Sequence, residues 1–199
     1  MTEQVDPRSV FWPPEAGDEV ATLLGSLERQ RATFAWKVGG LDAAALRRTV
    51  AASSMTLGGM IKHLAFVEEL AFQTSLHGRP PGPPWDTVNW DDEPDYPWAS
   101  AAQDSPEELY ALWRSTVVAS RAAIDEAVAD GGLDRRMVWM SGGDQRPSLR
   151  RRLVDLIEEY ARHTGQADLF REQIDGVVGE DPPDVPALYP PREQGPAAG

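Results

Sequence analysis

A chain of 199 residues with 41% hydrophobic residues and seven tryptophans can bury a sizeable single-domain core, which excludes a disordered polymer. Its formal net charge of −13, from 19 Lys+Arg against 32 Asp+Glu, argues against nucleic acid or an anionic membrane surface as partner, because phosphate binding needs a basic footprint. The absence of cysteine excludes disulfides, thiolate zinc sites and a cysteine nucleophile, and no apolar run approaches the ~18–20 residues that span a bilayer.

Residues 1–15 carry Pro7, Pro13 and Pro14 and read as an irregular acidic arm without the apolar core of a signal peptide, so the expected location is cytoplasmic. From about Asp18, the residues Val20, Leu23, Leu24, Leu27, Phe34 and Val38 recur at helical spacing until Gly39-Gly40. A second helix starts at Thr56, a suitable N-cap, with Met60, His63, Val67, Leu70 and Thr74 on one face. Gly78, followed by Pro80 and Pro81, stops it. Ser105-Pro106-Glu107-Glu108 is a capping box with proline in the first turn. It opens a third helix whose stripe runs through Leu109, Trp113, Val117, Ser120, Ile124 and Val128 to Gly131-Gly132. A fourth begins near Ser148 and carries Leu149, Leu153, Leu156, Tyr160, Ala167 and Phe170.

The pattern predicts an all-α fold, an antiparallel four-helix bundle, over residues 16–180. The second and third helices are joined by roughly 26 residues, far beyond the usual bundle loop. That segment holds Trp85, Trp90, Tyr96 and Trp98, which need somewhere to bury, so it is expected to lie over the bundle. The Pro-rich tail 181–199 is expected to be extended or disordered.

Glu159 and His163, four residues apart, project from one face of the fourth helix, on or beside its apolar stripe. Burying a carboxylate and an imidazole there is costly unless something compensates the charge, and a metal ion would do so. His63 supplies a third ligand if the second and fourth helices face each other. Three such ligands leave a coordination position open, the mark of a reactive site over a structural one. Residue by residue, other roles stand beside this: a hydrogen-bonded core histidine for His63, and a salt bridge to Arg162 or Arg121 for Glu159. His77 reads as a cation set against its helix dipole. The Arg150-Arg151-Arg152 run reads as a solvated face or as a contact for the acidic segment Asp86–Asp95.

The segments MTLGGMIKHLAFVE (55–68), LIEEYARHTGQADLFREQIDG (156–176) and TLLGSLERQRATFAWKVGGLD (22–42) resemble the helices of the DinB-like (YfiT-like) metalloprotein superfamily. More closely they resemble its actinobacterial mini-circle protein branch, a family of unknown function. The resemblance implies a four-helix bundle with a pocket metal held by one His of the second helix and a His-x₃-His pair of the fourth. Here His63 stands at the first position and His163 at the last, while Glu159 replaces the commoner His. Two His and one carboxylate suit zinc first, with iron, nickel or manganese also compatible. Relatives in the superfamily use mycothiol or bacillithiol, and a divalent cation lowers the pKa of a bound thiol. The resemblance therefore implies a low-molecular-weight thiol cosubstrate and a thiol-dependent transferase acting on a small electrophile. Gln166 and Arg162 flank the site and could orient the cosubstrate, with an interhelical hydrogen bond as the other role for Gln166. Two further readings stay open: a metal hydrolase with Glu68 or Glu158 as base, if these are not simply solvated helix surface, and a non-catalytic metal-stabilised bundle that binds a small ligand. A homodimer is implied by the resemblance alone.

Overall fold

Each long helix begins on the cap that its sequence offers. Asp18, Thr56 and Ser148 accept from the backbone N–H three residues on, and Ser105 forms a complete capping box with Glu108. The structure, a computed structural model, describes residues 11–138, 145–190 and 192. Most of the predicted N-terminal arm, with Pro7, and the end of the tail lie outside the described residues. Among the described residues there are six α-helices and no strand. They are α1 (Glu19–Val38), α2 (Ala43–Leu46), α3 (Leu57–Glu68), α4 (Tyr96–Ser100), α5 (Pro106–Ala129) and α6 (Leu149–Asp175). A π-helical segment, Glu69–Ser75, continues α3. Gly176, at φ 76°, closes α6 with a left-handed cap that a side chain would strain.

Cross-helix contacts set the directions. Glu19 pairs with Arg150 and Lys37 with Asp168, so α1 and α6 run parallel. Glu28 meets Arg121 while Val38 meets Tyr110, so α1 and α5 run antiparallel. His63 lies against His163 and Glu68 against Tyr160, so α3 and α6 are antiparallel. Gly58 lies against Leu109, Gln73 donates to the Ala119 carbonyl and His77 Nε2 to that of Ala123, so α3 and α5 are parallel. A parallel pair requires the chain to return along the whole bundle, which explains the long connection between them. Its aromatics are laid on the bundle as expected: Trp85 is 2% exposed, and Phe66 of α3 stacks on Trp90 at 4.5 Å between ring centres.

The core is apolar, with Phe34 set edge-on to Tyr160 at 5.9 Å and close to Trp113 at 6.0 Å. Through it runs a buried ion network. Arg31, 1% exposed, donates to both carboxylate oxygens of Glu68 at 2.7 and 2.6 Å and to Glu28 at 2.8 Å. Arg121 donates to both oxygens of Glu28, and Tyr189 donates to one of them. This corrects three sequence expectations. Glu68 is a fully buried anchor and not helix surface, Arg121 is engaged by Glu28 and not by Glu159, and residues 181–190 of the tail are packed on the bundle and not free. Residues 181–190 form no helix, yet Leu188 and Tyr189 are buried, Asp181 takes a two-pronged pair from Arg29, and the Pro190 carbonyl accepts from Arg121. The Arg150–Arg152 run pairs with Glu19, Asp134 and Asp155, not with the acidic segment Asp86–Asp95.

The network has a pH signature. Burial by itself would raise the Glu28 carboxyl, but Arg31 and Arg121 outweigh it and hold its pKa at about 2, against 4.5 for an ordinary Glu. A carboxylate depressed in the folded state adds stability that is present above pH 4.5 and is lost as the pH falls toward 2. At about 1.4 kcal/mol per pKa unit this amounts to roughly 3 kcal/mol. Urea titrations from pH 5 down to pH 2 should therefore show a steep loss of stability, and Glu28→Gln should flatten it. An unchanged slope in that variant would remove Glu28 as the cause.

Candidate metal centre

Two helices build the site. Helix α3 contributes His63, and α6 contributes Glu159 and His163 one turn apart on the face turned toward α3. His63 Nε2 lies 2.9 Å from Glu159 Oε1, and His163 Nε2 lies 3.3 Å from the same oxygen. Ligand atoms from all three residues fall within 4.8 Å of one another. His163 is buried, whereas His63 and Glu159 are partly exposed, so the cluster opens to solvent on one side.

The protonation pattern follows from the neighbours. Gln166 Oε1, an acceptor, sits 2.7 Å from His163 Nδ1, so Nδ1 carries the proton and Nε2 presents a lone pair. That nitrogen faces Glu159 Oε1, and either a proton on the ring or a cation held by both groups satisfies the contact. A neighbouring acceptor that fixes the tautomer and orientation of a ligating imidazole is the usual support of a metal site. Burial pushes His63 below the ordinary imidazole pKa, with the hydrogen bond that its ring donates to Glu159 opposing the fall and His163 adding to it. Burial alone would raise Glu159, but hydrogen bonding to His63 and the two imidazole charges bring it below the ordinary carboxylate value. Two imidazoles and a carboxylate, once deprotonated, are the donor set that a divalent cation needs, so the residues fit such an ion.

The three predicted ligands are thus brought together. Gln166 bonds within its own helix, to His163, and makes no interhelical bond. Arg162 is exposed, so the salt bridge to Glu159 is absent. His77 is tied to the Ala123 carbonyl of α5 and takes no part in the site. Of the two proposed bases, Glu68 is tied up inside the core. Both oxygens of Glu68 are engaged by Arg31, one of them also by Tyr160, and Glu158 is exposed.

Trp98 is the site residue that sequence reasoning did not single out. It comes from α4, inside the long connection, and stacks on His63 at 4.7 Å with planes 25° apart, 5.7 Å from the His163 ring. Its signal in the sequence was Gly59, one turn before His63: a Cβ there would stand 2.7 Å from Trp98 Cε3. Helix propensity favours Gly59→Ala by about 1 kcal/mol. Overpacking against a stacked indole costs about 1–3 kcal/mol, so the variant should be less stable on balance. The His63 ring protons should also lose their ring-current shift in NMR spectra. A stabilised variant with unchanged His63 resonances would show that Trp98 is not held there.

Fold and donor set together place the chain in the DinB-like superfamily of helical metal-site bundles. Within it the chain belongs to the mycothiol-S-transferase family, whose model matches residues 22–176. No curated protein matches the sequence significantly.

Proposed function

We propose that the protein is a metal-dependent S-transferase that joins a low-molecular-weight thiol, mycothiol, to a small electrophile. The observation that carries this is the convergence of His63 Nε2, His163 Nε2 and Glu159 Oε1, with Gln166 holding His163 in the tautomer that turns a lone pair inward. Family membership supports the choice of thiol. The chain has no cysteine, so the sulfur nucleophile must arrive with a cosubstrate. When bound, a divalent cation, zinc first by donor type, would lower the pKa of a thiol so that its thiolate is present near neutral pH.

The chain's own residues do the rest. His63, Glu159 and His163 would hold the cation, and three such ligands would leave a coordination position open. Trp98 covers one side of His63 and keeps water from it. Arg162, exposed beside His163, is within reach of polar groups on the thiol. In the transfer the sulfur forms a bond to carbon, the leaving group departs with its electron pair, and the thiol proton passes to water. A reduced-thiol cosubstrate is compatible with the cytoplasmic location expected from the sequence. No helix among the described residues is long and apolar enough to cross a membrane.

The test uses protein purified without added metal, assayed with mycothiol and 1-chloro-2,4-dinitrobenzene before and after chelation. Stoichiometric metal by elemental analysis, with activity lost on chelation and restored by zinc, is the expected result. Conjugation that persists in metal-free protein would overturn the reading.

A further inference from the structure

A second cavity lies along α3 beyond the metal centre. Its volume is ≈ 260 Å³, and it is lined by Phe66, Glu69, Leu70, Thr74, Pro81 and Trp90. Phe66 and Leu70 follow His63 by three and seven residues. On a helix rising 1.5 Å per residue this sets them about 5 and about 10 Å farther along the side that carries His63. Four of the six lining residues are apolar. The one carboxylate, Glu69, accepts from the Gly82 N–H at 3.1 Å and so ties down the start of the long connection. The Phe66 ring, stacked at 22° on Trp90 and 5.1 Å from Trp85, makes one wall rigid. Leu70 and Thr74 lie in the π-helical segment, a distortion that recurs at functional sites, and Leu70 remains 36% exposed, large for a leucine in a folded helix.

The aromatic wall continues toward the metal centre. Trp85 and Trp90 each meet Tyr96, and two residues later Trp98 stacks on His63. A polar thiol would find few partners for its donors among Phe66, Leu70, Pro81 and Trp90, whereas a flat uncharged ring would bury its faces there. We infer that this cavity receives the apolar, ring-bearing part of the electrophile and so sets substrate selectivity, Leu70 and Trp90 being the residues that decide it. The inference rests on the transferase reading of the metal centre.

Two measurements separate the cavity from the chemistry. The first is calorimetric titration with 1,3-dinitrobenzene, which has no leaving group and needs neither thiol nor turnover. Saturable 1:1 binding is expected, weakened about tenfold or more in Leu70→Trp, which fills the cavity, and in Trp90→Ala, which removes a wall. The second is the ratio of kcat/KM for 1-chloro-2,4-dinitrobenzene to that for iodoacetamide, with mycothiol as the thiol. In both electrophiles one C–S bond is formed and one carbon–halogen bond is broken, the halide leaving with the electron pair. That ratio should fall about tenfold in both variants, with metal content unchanged. Absence of dinitrobenzene binding, or equal binding by both variants, would overturn the inference even if conjugation is observed. Binding that is lost in the variants, in a protein that conjugates neither electrophile, would support the cavity as a ring-binding site and overturn the transferase reading. Trp90→Ala keeps the test decisive if Leu70→Trp does not fold.

Discussion

Alanine in place of His163 is expected to cost the protein its metal, with a loss of affinity beyond about 100-fold, since deleting only the partner of a ligand already costs about 10–100-fold. The two remaining donors, His63 and Glu159, cannot form the three-ligand set that an open catalytic site uses. Gln166→Ala should fall between this variant and the wild type. His163 would keep its nitrogen but lose the acceptor, 2.7 Å from Nδ1, that selects the tautomer and orients the ring. Glu159→His should retain the metal, because it exchanges one ligand for another, but it raises the net charge of the centre by one. A thiol held there would ionise more readily, so the rising limb of the pH–rate profile should move to lower pH. Protons compete with the metal for imidazole nitrogen. Since burial holds His63 below the ordinary imidazole pKa, metal retention should persist somewhat below pH 6.5 before protonation releases it. Competition with a chromophoric chelator, repeated across pH for each variant, checks the affinities, and conjugation rates across pH check the Glu159→His shift. Stoichiometric metal in His163→Ala, or an affinity for Gln166→Ala equal to that of the wild type, would discard the assigned centre.

The parts of this architecture that were legible in the sequence are those written locally. Ser105 with Glu108, Thr56 and Ser148 announce helix starts within four residues, and Gly39 announces an end, because caps satisfy backbone groups next to themselves in the chain. Glu159 and His163 were legible for the same reason, one turn apart on one helix, and His63 joined them on the condition that the second and fourth helices face each other, which the family resemblance supported. What was not legible depends on pairings distant in sequence. Glu68 looks like one more charged helix residue until Arg31, 37 residues earlier, closes on it inside the core. The tail has the composition of a free linker, and partners distant in sequence, among them Glu28, Arg29 and Arg121, convert residues 181–190 into packed structure. The long connection promised buried aromatics, but the choice of Trp98 as the ring against His63 depends on where the chain crosses back to start α5 parallel to α3. No residue pattern within Glu69–Ser75 marks it as a π-helical segment, so the wall of the second cavity was equally hidden.

Glu68→Ala should be the most destabilising single change in the buried network, at about 3–5 kcal/mol, the scale for removing one partner of a buried ion pair. The reason lies in what stays behind. Arg31 is 1% exposed and cannot reach water, and its only other carboxylate is Glu28, already shared with Arg121 and Tyr189. Burial by itself would depress the Arg31 guanidinium, and it is the charges of Glu68 and Glu28 that keep it above its ordinary value. Tyr160 loses an acceptor in the same variant, because its hydroxyl donates to Glu68 Oε1 at 2.9 Å while accepting from Trp113 Nε1. Against a typical domain stability of about 5–15 kcal/mol such a loss is severe. Tyr160→Phe removes two hydrogen bonds, the one donated to Glu68 and the one accepted from Trp113, and should cost about 2 kcal/mol. That smaller change carries the sharper test, because Tyr160 adjoins Glu159 and is the bond that ties α6 to α3 beside the ligands. If it sets the register of the two helices, Tyr160→Phe should weaken metal binding by more than its stability loss accounts for, while Glu28→Gln, remote from the ligands, should cost stability with little effect on the metal. Denaturant unfolding and metal titration on the same three variants separate the two effects. Metal affinity that simply followed stability across all three would reduce the network to a scaffold with no part in positioning the site.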